Sequence, residues 1–138
     1  MAAELNRPEV VAQVKAAFEA YERALVANDI ATMNQLFWGA PETVRYGIAE
    51  VQHGGAAIRR WREACEPVPA SRTLHRTVIT TFGSDYATVS TEFTSDVTSL
   101  LGRQMQTWVK LEPSDAVAAV RFGGWTIVAA HVSLIEAP

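Results

Sequence analysis

The chain has 138 residues, 49% of them hydrophobic and 20% charged, which fits one globular domain with one core and is too short for two ordinary ones. Twelve Lys plus Arg against fifteen Asp plus Glu leave a formal charge of −3, so there is no global basic field to hold a nucleic-acid backbone or an anionic membrane. The single cysteine, Cys65, excludes an internal disulfide, and the longest apolar runs, such as Trp125 to Val132, stop far short of the ~20 residues a membrane-spanning helix needs.

From Pro8 to Ala27, apolar residues at Val10, Val11, Val14, Ala17, Phe18, Tyr21 and Leu25 fall on one face at helical spacing, with Asn6 as the expected N-cap and Asn28-Asp29 as the stop. A short second helix is predicted from Asp29 to Phe37. Thr43 to Gly47 reads as a short strand, and His53-Gly54-Gly55 opens a third helix from about Ala56 to Glu66, closed by Pro67 and Pro69. Cys65 lies at the end of that stretch and reads as a buried structural thiol. Beyond Ser71 the segments Thr73 to Phe82, Tyr86 to Ser99, Arg103 to Glu112 and Val117 to Ile135 are rich in Thr, Val and aromatics. They are separated by Gly83-Ser84-Asp85, Leu101-Gly102 and Pro113-Ser114-Asp115. Three helices followed by an antiparallel meander make an α+β domain spanning residues 1–138, in which a curved sheet around a helix leaves an open end as a natural cavity. The polar start of the chain, without a secretory apolar run, makes the cytoplasm the expected location.

The chemistry is narrowed by what is missing from the sequence. His53, His75 and His131 form no pair at metal-ligand spacing, and no HExxH or CxxC occurs, so no metal is expected. There is no GxSxG elbow and no phosphate loop. What remains are polar residues on apolar faces. Tyr21 lies on the inner stripe of the first helix, and its hydroxyl must find a partner there. Arg45 lies within a short strand; pointing inward, it would be a buried cation that a bound carboxylate would satisfy. Ten of the twelve basic residues are Arg, the side chain suited to bidentate carboxylate recognition, although genomic composition could give the same bias.

Strict alternation along the last strand puts Trp125, Ile127, Ala129, His131 and Ser133 on one face and Thr126, Val128, Ala130, Val132 and Leu134 on the other. The first set, with its polar end, is expected to face the cavity. The preceding strand splits into Gln104, Gln106, Trp108 and Lys110 against Met105, Thr107, Val109 and Leu111, and its inward face is left open by the pattern.

The order of elements resembles the NTF2-like or SnoaL-like cone, and Gly124-Trp125-Thr126-Ile127 with His131 and Ser133 looks like that superfamily's closing GWxIxxxHxS strand. Arg45-Tyr46-Gly47-Ile48-Ala49-Glu50, followed by Gly54-Gly55 and Ile58-Arg59-Arg60-Trp61-Arg62, resembles more narrowly the AtzH-like family. That family is related to the oxalurate-catabolism protein HpxZ, and has an RYGxxE segment before a helix bearing IxxxR or IxxFR; Trp61 stands where Phe is usual. The resemblance implies a cofactor-independent decarboxylase, encoded alongside amidases, that converts 1,3-dicarboxyurea to urea-1-carboxylate (allophanate) during cyanuric acid breakdown. The functional positions it maps are Tyr21 and Arg45, with Arg45 clamping a carboxylate and Tyr21 relaying a proton beside that cation. Arg72, Gln106, His131 and Ser133 are further candidates for the second carboxylate and the urea oxygen. Alternatives are an oxalurate enzyme or accessory protein, and a non-enzymatic ligand-binding or dimerisation module. The flat outer face of such a sheet is expected to form a homo-oligomer, with the ureido dicarboxylate as ligand and an amidase as a functional associate.

Overall fold

The computed structural model describes residues 2–112 and 121–138. Helix α1 runs Pro8–Ala27, as the periodicity predicts, with Pro8 in its first turn and Asn28 ending it in the left-handed conformation. Asn6 does not cap it. Its side-chain oxygen accepts from the amide of Thr81 at 2.8 Å, tying the N-terminal segment to the sheet, and Arg7 occupies the N-cap without a side-chain bond. Helix α2 is Ile30–Leu36, and the Asp29 carboxylate caps it by accepting from both the amide and the hydroxyl of Thr32.

Strand β1 is Val44–Tyr46, and it forms a hairpin with β2, Val51–His53, which the sequence reading had merged into the approach to α3 (Gly55–Ala64). The long strands are β3 (Thr73–Phe82), β4 (Tyr86–Thr94), β5 (Leu101–Lys110) and β6 (Trp125–Ile135). The expected break at Leu101-Gly102 falls earlier, at residues 95–100. Gly102 is in β5, where a side chain would overlap the ring of Phe93 on the neighbouring strand. The expected break at Pro113-Ser114-Asp115 and the first residues from Val117 lie outside the described residues. Arg121 and Phe122 are helical and Gly123-Gly124 make a turn, so the last strand begins at Trp125.

The six strands form one sheet in the order β2-β1-β6-β5-β4-β3, antiparallel except for the parallel β1–β6 pair. Its inner face carries Ala87, Val89, Trp108, Trp125 and Ile127, which form the core with Val14 and Phe18 of α1, Met33 and Leu36 of α2 and Ile58 of α3. This is the α+β, NTF2-like cone expected from the order of elements. The detail that matters most for function is in β6. Thr107 pairs with Ala129 but Trp108 pairs with Ile127, so Val128 is an extra residue, a β-bulge. Alternation slips by one there, and the inward set becomes Trp125 and Ile127 before the bulge, then Ala130 and Val132 after it.

Candidate active site

The open end of the cone is a cavity of about 310 Å³, reached by side chains from all three helices and from the six strands or their flanks. Arg45 enters it from β1. It is 8% exposed, lies inward as expected, and stacks its guanidinium on Trp61, 3.7 Å from the ring centroid. One nitrogen, Nη1, donates to Glu50 Oε1 at 2.8 Å and to Gln52 Oε1 at 3.0 Å. This gives the RYGxxE segment a physical meaning. The chain turns back after Arg45 so that Glu50 meets it. Gly47 lies under the pair, where a Cβ would overlap both Glu50 Oε1 and Arg45 Nη1.

Tyr21 is 4% exposed and reaches the cavity from α1, its ring against Phe37. Its hydroxyl accepts from Arg62 Nη2 at 2.8 Å, which leaves its own proton free to be donated to another group. The cation expected beside Tyr21 was Arg45; the one that touches it is Arg62. Arg62 is 4% exposed, lies between the rings of Trp61, Tyr21 and Phe37, and makes no ion pair with any described carboxylate. A guanidinium removed from water needs a compensating anion, so this is where a ligand carboxylate is most strongly called for.

Arg72 also lines the cavity, but it is already matched. Its Nε donates to Glu22 Oε1 at 2.9 Å and its Nη2 to Gln104 Oε1 at 3.1 Å, while Gln104 Nε2 donates to Glu22 Oε2. The Arg72 guanidinium stacks on Phe93, 4.0 Å from the ring centroid, and Gly102 makes room for that ring. The Glu22–Arg72–Gln104 group is therefore a closed wall of the site rather than a second free anion receptor. Gln106, on the inward face of β5, lines the cavity as well and is 3% exposed.

His131 and Ser133 are not in the site. The bulge at Val128 sends both to the outer face, where His131 is exposed against Tyr46 and Ser133 accepts from Arg103. Strict alternation had placed them inside, and the one-residue slip reverses that assignment. Cys65 is half-buried at the cavity mouth, with its thiol donating to the Arg62 carbonyl at 3.4 Å.

Sequence reasoning left Arg62, Glu50, Trp61, Glu22 and Gln104 without roles. Two signals could have found Arg62: its place four residues after Ile58, on the buried stripe of α3, and its place as the last residue of the IxxxR motif. Glu22, four residues after Phe18, sits at the edge of the buried stripe of α1 in the same way.

The crystal structure of a cystatin-like fold protein from Burkholderia xenovorans superposes with a TM-score of 0.91 at 71% identity over 99% of both chains. A protein of unknown function from Pectobacterium atrosepticum matches at 47% identity and TM-score 0.85, covering 96% of this chain and 95% of that one. An NTF2-like superfamily protein from Salmonella enterica, at 19% identity and TM-score 0.67 over 94% and 93% of the two chains, shares the fold. No curated protein matches the chain. The AtzH-like family profile matches residues 3–138, taking in Tyr21, the Arg45–Glu50 turn and the Arg62 helix, and the chain belongs to the AtzH-like family.

Proposed function

We propose that the protein is a cofactor-independent decarboxylase that converts 1,3-dicarboxyurea to urea-1-carboxylate and carbon dioxide, a step of cyanuric acid breakdown. The observation that carries this reading is Arg62: a buried guanidinium with no described carboxylate partner, hydrogen-bonded to the Tyr21 hydroxyl in the cavity that also holds Arg45. A small dianion meets both cations, one on each carboxylate, with the aromatic ring of Trp61 between them.

The reaction breaks the bond between a terminal carboxylate carbon and the urea nitrogen. The electron pair stays on nitrogen, which takes one proton, and the carboxylate carbon leaves as carbon dioxide. Tyr21 supplies the proton, and its oxygen remains held by Arg62, whose charge stabilises the phenolate until solvent returns the proton. Fixing the leaving carboxylate on a guanidinium edge orients the C–N bond, and the apolar wall of Trp61 and Phe37 keeps bulk water from the departing group.

The direct experiment follows carbon dioxide and allophanate release from dicarboxyurea against its spontaneous decay. Wild-type protein is expected to accelerate the decay, and Tyr21→Phe to lower kcat by about 10²–10⁴-fold while melting within a few degrees of wild type. Wild-type protein that leaves the spontaneous rate unchanged overturns the proposal, and processing of oxalurate instead would reassign the chain to ureido-acid catabolism of the HpxZ type. The proposal includes a homodimer formed through the outer face of the sheet, supported by the exposed Tyr46, Val78, Phe82, Tyr86 and Met105 on that face.

A further inference from the structure

Gln106 is buried, faces the cavity, and has its orientation fixed by a neighbour. Its Oε1 accepts from the indole nitrogen of Trp108 at 3.1 Å. An indole N–H can only donate, so the carbonyl end of the amide must face Trp108 and the NH2 end must face the other way. No described residue accepts from that NH2 group, although the side chain is 97% removed from solvent by its surroundings, its residual exposure being 3%.

The sheet register says what lies opposite. Gln106 of β5, Ala130 of β6 and Arg45 of β1 are cross-strand partners in one row on the inner face. With strands about 4.8 Å apart, the backbones of Gln106 and Arg45 stand about 10 Å from one another with only a methyl group between them. Ala130, between them, contributes only a methyl group, so the row leaves space at the cavity floor between the Arg45 and Gln106 side chains, both of which line the cavity. The bulge at Val128 is what brings Ala130, rather than Ala129, into this row.

We propose that Gln106 Nε2 donates to the central carbonyl oxygen of the ligand, so that the cavity selects diacids with a planar acceptor oxygen midway between the carboxylates, ureido and 3-oxo diacids alike, over saturated diacids. The inference rests on the cavity being a dicarboxylate site, and not on the decarboxylation itself. In the proposed reaction the same donor stabilises the charge that the urea oxygen gains as the C–N bond breaks.

Two probes differ in that one oxygen: glutarate, and 3-oxoglutarate dissolved immediately before use and assayed for carbon dioxide loss alongside the titration. Calorimetric titration of wild-type protein is expected to show 3-oxoglutarate binding at least about fivefold tighter. Gln106→Met keeps the outline and should bring the ratio to about one with the glutarate affinity unchanged. Gln106→Glu keeps an acceptor for Trp108 but replaces the donor, and should bring the ratio to one or below. A wild-type ratio of one, a ratio that survives in both variants, or no binding of either diacid at roughly 10 mM overturns the inference. Dicarboxyurea turnover measured on the same samples separates the two claims. Turnover without the ratio removes Gln106 and leaves the reaction, whereas the ratio without turnover removes the reaction and leaves the ligand class.

Discussion

Gly47 shows how narrowly the site is built. It has no chemistry of its own, yet any side chain there would occupy the space of the Arg45–Glu50 pair. Gly47→Ala is expected to push Arg45 off its place on Trp61 and to raise KM for the anionic substrate by about tenfold, since one charge-assisted hydrogen bond is at stake. Melting should change little because Gly47 lies in the turn between β1 and β2, outside the core, and steady-state kinetics beside a thermal melt checks both halves. Tyr21 and Arg45 could be picked out of the sequence because each is a polar residue embedded in an apolar pattern. Arg62 is harder to read, since α3 carries Arg59, Arg60 and Arg62 in a short stretch and only the spacing of four from Ile58 and the last place in the IxxxR motif set the third apart. Partners such as Glu22 with Arg72, fifty residues apart, exist only once the sheet has closed over α1.

At the scale of elements, helices were read more faithfully than strands. α1 announces itself through a long apolar stripe, whereas β2 is three residues with only Gln52 buried, too short for any periodicity to register. The bulge in β6 is the larger miss. Alternation is a parity rule, and a single extra residue at Val128 inverts everything beyond it, which is why His131 and Ser133 were assigned to the wrong face while Trp125 and Ile127 were assigned correctly. The cap of α2 gives a prediction with a definite sign. The Thr32 hydroxyl, and after it the Thr32 amide, donate to Asp29 and hold its carboxyl below the usual aspartate value. A carboxylate with a depressed folded pKa adds stability above its unfolded pKa and loses it as the pH falls through the folded one. Asp29→Ala should therefore melt below wild type at pH 7, and the gap should close when both are melted near pH 2.

At the scale of the whole molecule, the described helices cover one face of the sheet and no described element covers the other. The outer face exposes Met105 at 60% and Val78 at 55%, with Tyr46, Phe82 and Tyr86 on the same side. The proposed homodimer buries that face, and light scattering should give twice the mass of the chain for wild type and the mass of one chain for Met105→Glu. A monomeric wild-type protein would remove the dimer from the proposal. His131 and Ser133, excluded from the cavity, belong to this surface, so substituting them should leave ligand binding in place.

The buried Arg62, without a carboxylate partner among the described residues, has a practical side. Among the described residues Arg45, Arg62 and Arg72 line the cavity with Glu50 and Glu66, Glu50 pairs with Arg45 and Glu22 with Arg72, and Arg62 alone of the three arginines has no ion pair. An unpaired buried guanidinium of this kind is open to the anions of the buffer. For the proposed reaction, acetate, formate and citrate, which present the group that Arg62 lacks, are expected to compete with substrate, raising the apparent KM and leaving kcat alone. The kinetics should therefore be measured in a carboxylate-free buffer with and without added acetate, where competition is expected to show as a KM that rises with acetate.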